Sequence, residues 1–154
     1  MKIYFAAAIS AGRDYAEVYR KIVDDLKASG HQVLTEHVAD PEVLKKEKNV
    51  SPEDVYLRDI DLLRQCDVLL AEISKPSTGV GYEIGMALHA LRKPVVCVYL
   101  KGLRMTKMIT GNTDPLLRVF AYESVNELLD ALPLLLEESQ QKVCTVGIKA
   151  SKER

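Results

Sequence analysis

CDVLLAEISKPSTGVGYEIG, residues 66–85, holds the transition that decides the fold: an unbroken apolar run, a short polar loop, then the start of a helix. The run at residues 67–73 shows no alternation of polar and apolar positions, as expected of a strand covered on both faces. Gly79, Gly81 and Gly85 after it let a backbone or a ligand approach closely. Working outward, runs rich in Val, Leu, Ile and Tyr recur at residues 2–8, 32–35, 94–100 and 117–122, separated by stretches of helical period. That alternation is the pattern of a parallel sheet with helices on both sides.

The first helix is predicted over residues 13–29, where Tyr15, Val18, Tyr19, Ile22 and Leu26 form one stripe and Gly30 supplies a stop. Ser51, Pro52, Glu53 and Asp54 open a second helix with a cap, a proline at the first position and acids in the first turn; it ends near Gln65. A third runs from about Gly79 to just before Lys93-Pro94, and a fourth covers roughly residues 125–138. Residues 38–49 are charged and without clear period, so they are expected to form a mobile excursion, and residues 140–154 a flexible tail. The order fits a flavodoxin-like, three-layer α/β/α domain with a five-stranded parallel sheet over residues 1–139. In such sheets ligands gather at the carboxyl ends of the strands, near the point where the strand order reverses.

With 154 residues, 47% of them hydrophobic, the chain can bury one sizeable core. A net charge of -1 provides no basic field for a nucleic acid polymer. No apolar stretch reaches the roughly 18 residues of a membrane span. Cys66, Cys97 and Cys144 are widely spaced and unpaired in pattern, which speaks against a disulfide framework or a zinc site and for a reducing, cytoplasmic setting.

Two acids stand out. On the helix after Pro52, a turn of about 100° per residue gathers Val55, Leu62, Leu63 and Cys66 on one face, with Asp59 in its middle and Arg58, Asp61 and Gln65 on the solvated side. An inward carboxylate needs a partner, so Asp59 is either a structural cap or ion pair, or an acid lining a site. Glu83 falls in the first turns of the helix that follows the decisive loop, either as a partner of the helix dipole or as a group facing the cleft. Tyr4 on the first strand reads as a core residue by spacing alone. Glu72, ending the third strand, and His37, after the second, lie at the same edge and are open to a structural or a catalytic role.

Taken together, YFAAAI, VLTEHVA, the Asp59 helix, CDVLLAEIS, PSTGVGYEIG, KPVVC and MITG resemble the 2′-deoxynucleoside 5′-phosphate N-hydrolases of the wider nucleoside 2-deoxyribosyltransferase superfamily, in order over residues 2–122. The resemblance implies a homodimeric nucleotide N-glycosidase that releases a free base and 2-deoxyribose 5-phosphate without metal or organic cofactor. It places the nucleophile on Glu83, the tyrosine that orients it on Tyr4 and the catalytic aspartate on Asp59, which the helical phase had already turned inward. It implies a phosphate contact at Ser77 and a second donated by the partner subunit's counterpart of Thr106; Gly79, Gly81 and His37, with Ser10, Gly12 and Arg13 of the first loop, are the further candidate substrate contacts. One departure is visible: where the family's first loop has a serine before the isoleucine and an arginine after it, this chain has Ala8 and Ser10.

The chemistry implied is a double displacement. An ionised Glu83 stabilises the oxocarbenium-like sugar and forms a glycosyl ester, Asp59 assists the sugar and leaving base, and water releases the sugar. The rival expectations are a deoxyribosyltransferase in which a second base replaces water, a ribonucleotide N-glycosidase, and a non-catalytic nucleotide-binding module.

Overall fold

A computed structural model describes residues 1–152 in backbone and residues 1–141 in side chain. Five parallel strands, β1 (Lys2–Ala7), β2 (Gln32–Val33), β3 (Val68–Glu72), β4 (Val95–Leu100) and β5 (Leu117–Tyr122), lie in the order β2-β1-β3-β4-β5. This is the flavodoxin-like order, and the crossover direction reverses between β1 and β3. In that pair Tyr4 faces Leu69 and Ala7 faces Glu72, so both strands deliver their carboxyl ends to one edge.

The helices are α1 (Ala16–Ala28), α2 (Val43–Glu47), α3 (Pro52–Gln65), α4 (Thr78–Gly85), α5 (Lys107–Thr110) and α6 (Val125–Lys152). The two faces of the sheet carry separate cores. Ile3, Phe5, Leu70 and Val98 pack with Tyr19, Ile22 and Leu26 of α1 and Leu128, Leu132 and Leu136 of α6. Tyr4, Leu69, Ala71 and Cys97 pack on the other side with Leu63 of α3 and Val80, Ile84 and Leu88 of α4 and its extension. The uninterrupted apolar runs are explained by this double burial, since β3 has every residue buried.

Local signals act as read. Ser51 caps α3 by accepting from the Asp54 amide at 3.0 Å, with Pro52 at its first turn. Gly30, at φ 81°, ends α1 with its amide bonded to the Lys27 carbonyl.

Three expectations change. The charged excursion is built, not featureless: a 3₁₀ turn at Glu36–Ala39 and α2 fill it, with Val38 and Val43 buried. The last helix does not end near Glu138 but continues through the expected tail to Lys152. The third passes from α4 into a wider π turn at Met86–Ala90. Among the described residues no helix is long and apolar enough to cross a membrane.

Candidate active site

A cleft of about 470 Å³ opens at the carboxyl edge where β1 and β3 diverge. Ala7, Ile9, Ser10 and Ala11 after β1 form one wall, Ser77, Thr78, Gly79, Val80 and Glu83 of the α4 entrance the second, and Glu47, Val55, Arg58 and Asp59 the third. Each wall follows from topology: the first two are the loops after neighbouring strands, and the third is α3 together with Glu47 at the end of α2.

Glu83 and Tyr4 meet at its floor. Tyr4, 2% exposed, donates its hydroxyl to Glu83 Oε1 at 2.7 Å. Burial pushes the Glu83 carboxyl up to about 7; the Tyr4 bond pulls it back down, and the charge of Asp59 adds to the rise. The Tyr4 phenol is held far above its ordinary value by burial and by the two carboxylates, so it is a hydrogen-bond donor throughout the physiological range. Glu83 is therefore poised between its charged and neutral forms at neutral pH.

Asp59 lines this cleft and also a smaller cavity of about 150 Å³ behind it, shared with Tyr56, Gly79, Tyr82 and Glu83. The inward phase predicted for it is correct. The phase predicted for its neighbour is not: Arg58 lies on the cleft wall, where Nε donates to Asp59 Oδ1 at 2.8 Å and Nη2 to Glu47 Oε1 at 2.8 Å. The helical wheel places a Cβ, whereas a long guanidinium side chain can fold back toward a buried partner. Asp61 does face solvent, accepting from Gln65 at 2.7 Å.

Ser77 is the N-cap of α4, its Oγ accepting from the Val80 amide at 3.4 Å, and it sits where the cleft joins a second cavity of about 360 Å³. That cavity reaches Gly81, Arg104 and Thr106. Thr106 itself caps α5, accepting from the Met108 amide at 3.3 Å. A helix entrance with free amides facing a cavity favours anions.

Three of the proposed contacts line neither the cleft nor the second cavity. Arg13 donates Nη1 to the Val38 carbonyl at 2.8 Å and Nη2 to the Asp40 carbonyl at 2.9 Å, holding the excursion against the first loop. His37 stands behind the cleft wall, its Nε2 3.9 Å from Glu47, with burial and then Arg58 lowering its pKa. Gly12 shapes the loop from beneath: at φ 129° it occupies a conformation that L side chains rarely adopt, and a Cβ there would come within 3.1 Å of Lys75 Cε. Lys75 is in turn paired with Asp14 at 2.7 Å. Ala8 is fully buried, while Ser10 is exposed on the cleft. Glu72 is buried and accepts from the Tyr122 hydroxyl at 2.9 Å and from Ser74, serving to join strand ends away from the cleft.

Glu47 and Arg58 are the cleft residues that sequence reasoning missed. Glu47 belongs to a five-residue helix, too short for a period to show.

A parallel sheet of this order thus carries an acid pair, Asp59 and Glu83, at its switch point. The family model for nucleoside 2-deoxyribosyltransferase matches residues 3–134, and the chain belongs to that family. A relative from Methanosarcina mazei, which carries the provisional name 2′-deoxynucleoside 5′-phosphate N-hydrolase 1, is 42% identical over 131 residues, covering 82% of this chain and 80% of its own. The 5-hydroxymethyl-dUMP N-hydrolase of Tetraodon nigroviridis is 39% identical over 137 residues, covering 84% and 95%. The structure of the Clostridium botulinum CMP N-glycosidase shares the fold with a TM-score of 0.67 at 21% identity, over 87% of this chain and 98% of that one. A 2-deoxyribosyltransferase from Bacillus psychrosaccharolyticus superposes with a TM-score of 0.59 at 26% identity, over 84% and 90%.

Proposed function

We propose that this chain hydrolyses the N-glycosidic bond of a 2′-deoxynucleoside 5′-monophosphate, releasing the free base and 2-deoxyribose 5-phosphate, with Glu83 as nucleophile. The observation that carries this reading is the half-buried Glu83 carboxylate held by Tyr4 at 2.7 Å beside Asp59, at the floor of a nucleotide-sized cleft. Tyr4 engages Oε1, leaving Oε2 to attack the anomeric carbon.

In the first step the C1′–N bond breaks, its electron pair leaves with the base, which takes up a proton, and a C1′–O bond forms to Glu83. In the second, water attacks C1′ and gives up a proton, which replaces the one taken up by the base, while the ester bond breaks and Glu83 leaves as a carboxylate. Asp59 contacts the sugar and the departing base. The phosphate rests at the α4 entrance with Ser77, and Ser10, Gly79 and Gly81 leave room for it. The homologues named as nucleotide N-hydrolases support the nucleotide as substrate and water as acceptor.

A homodimer completes the site, the partner's Thr106 reaching the neighbouring phosphate. Tyr56 and Tyr82, about half exposed and paired at 6.4 Å between ring centroids, provide an apolar face on the two helices that carry Asp59 and Glu83.

The test is a panel of deoxynucleotides, ribonucleotides and deoxynucleosides, each incubated with the enzyme alone and with a second free base, followed by chromatography. Free base from deoxynucleotides under both conditions supports the proposal. Release only when an acceptor base is present, with an exchanged nucleotide as product, would make the chain a transferase.

A further inference from the structure

We propose that Arg58 is a positioning residue for glycosidic cleavage: it clamps the Asp59 carboxylate and is itself anchored by Glu47 of α2. The proposal rests on the reading that Asp59 contacts the reacting sugar and base.

Asp59 and Glu83 face one cleft closely enough that the charge of Asp59 raises the proton affinity of Glu83. Two acids so placed repel, and an aspartate on a helix surface has rotamers that would relieve the repulsion by swinging away. Arg58 blocks that relief. Its Nε bond at 2.8 Å engages Oδ1 and leaves Oδ2 as the oxygen not held by the guanidinium. The guanidinium is planar and rigid, so fixing Nη2 on Glu47 at 2.8 Å also fixes the direction of Nε. Arg58 and Glu47 are only 35% and 22% exposed in their side chains, so solvent does not dissolve the pair.

The clamp gives the excursion before α3 a purpose. Glu47 is delivered by a short helix whose approach is secured by Arg13, through its bonds to the Val38 and Asp40 carbonyls, and by burial of Val43. Two arginines thus tie one segment to the first loop and to the acid of the cleft.

Catalytic geometry lost by about 1 Å can cost on the order of a hundredfold in rate. Arg58→Met is therefore expected to lower kcat by about 10- to 100-fold, with KM moved much less. Arg58→Lys keeps the charge but cannot make both fork bonds, and is expected to fall between that variant and the wild type.

The deciding experiment is a double-mutant cycle on the full chain, with kcat and KM measured by base release and folding checked by circular dichroism. In the Asp59→Ala background nothing remains to be positioned, so Arg58→Met should change the residual kcat by less than about twofold. An equal fold-loss in both backgrounds would show that Arg58 only braces the fold, and would overturn the proposal. Should Arg58→Met not fold, the same cycle run with Arg58→Lys decides the matter by the same criterion. An Asp59→Ala enzyme at wild-type rate would instead remove Asp59 from the mechanism, a failure visible in the single variant, and the proposal would fall with it.

Discussion

The hydroxyl of Tyr4, on β1, donates to Glu83 Oε1 at 2.7 Å across seventy-nine residues of sequence. This bond opposes burial, which otherwise drives the Glu83 proton affinity upward. If Glu83 must be ionised to attack, kcat/KM rises with pH through an acid limb near the value of about 7 that the site imposes. Tyr4→Phe removes a contact that favours the charged form, so its acid limb should move to higher pH. A pH profile of kcat/KM for both enzymes measures this, and an unmoved limb would separate Tyr4 from the control of Glu83.

The same shift couples Glu83 to stability. Folding favours its protonated form, so the stabilisation is complete below the unfolded-state pKa and is lost as pH rises through about 7. A rise from an ordinary glutamate value to about 7 corresponds to at most about 3 kcal/mol. Glu83→Gln cannot ionise and should therefore gain stability relative to the wild type between pH 5 and 8, by up to about that amount. Urea unfolding at those two pH values checks it; a constant difference would mean that Glu83 does not carry the shift.

Asp59→Asn is expected to slow turnover strongly, by about 10-fold or more, whereas Asp61→Asn should leave it within about twofold. The two acids lie two positions apart on α3, one in the cleft and the other bonded to Gln65 at the surface. Comparable losses in the kcat of both variants would remove the special role of the inward position.

How far this was legible depended on the physical signal each residue leaves. The strands β1, β3 and β4 could be read almost to the residue because burial on both faces removes alternation. Asp59 could be placed because an acid interrupting an apolar helical stripe is costly and rare. Tyr4 and Glu83 could not be paired from spacing, since their contact is made by the crossover of the chain through β3; only resemblance joined them. Arg58 was assigned to solvent because a helical wheel follows Cβ directions and not the reach of a guanidinium. Arg13, expected at the substrate, is occupied by two backbone carbonyls, a role with no trace in local sequence.

The first loop yields a prediction about substrate choice. Ser10 is exposed on the cleft, whereas Ala8 is fully buried, so only position 10 can present a longer side chain to a phosphate. A bond to a charged group is typically worth about 1.5–3 kcal/mol. Ser10→Arg should raise the ratio of nucleotide to nucleoside kcat/KM by about tenfold or more. Parallel assays on a deoxynucleotide and its nucleoside measure it, and an unchanged ratio would show that this loop does not set phosphate recognition.

The central claim is that Glu83 performs the cleavage, and the most direct measurement is the rate of base release from deoxynucleoside monophosphates by the wild type and by Glu83→Gln, with substrate binding measured on both. The account predicts free base and 2-deoxyribose 5-phosphate from the wild type, and a Glu83→Gln enzyme that binds the nucleotide yet releases almost no base. Base release by the glutamine variant at a rate near that of the wild type would contradict it.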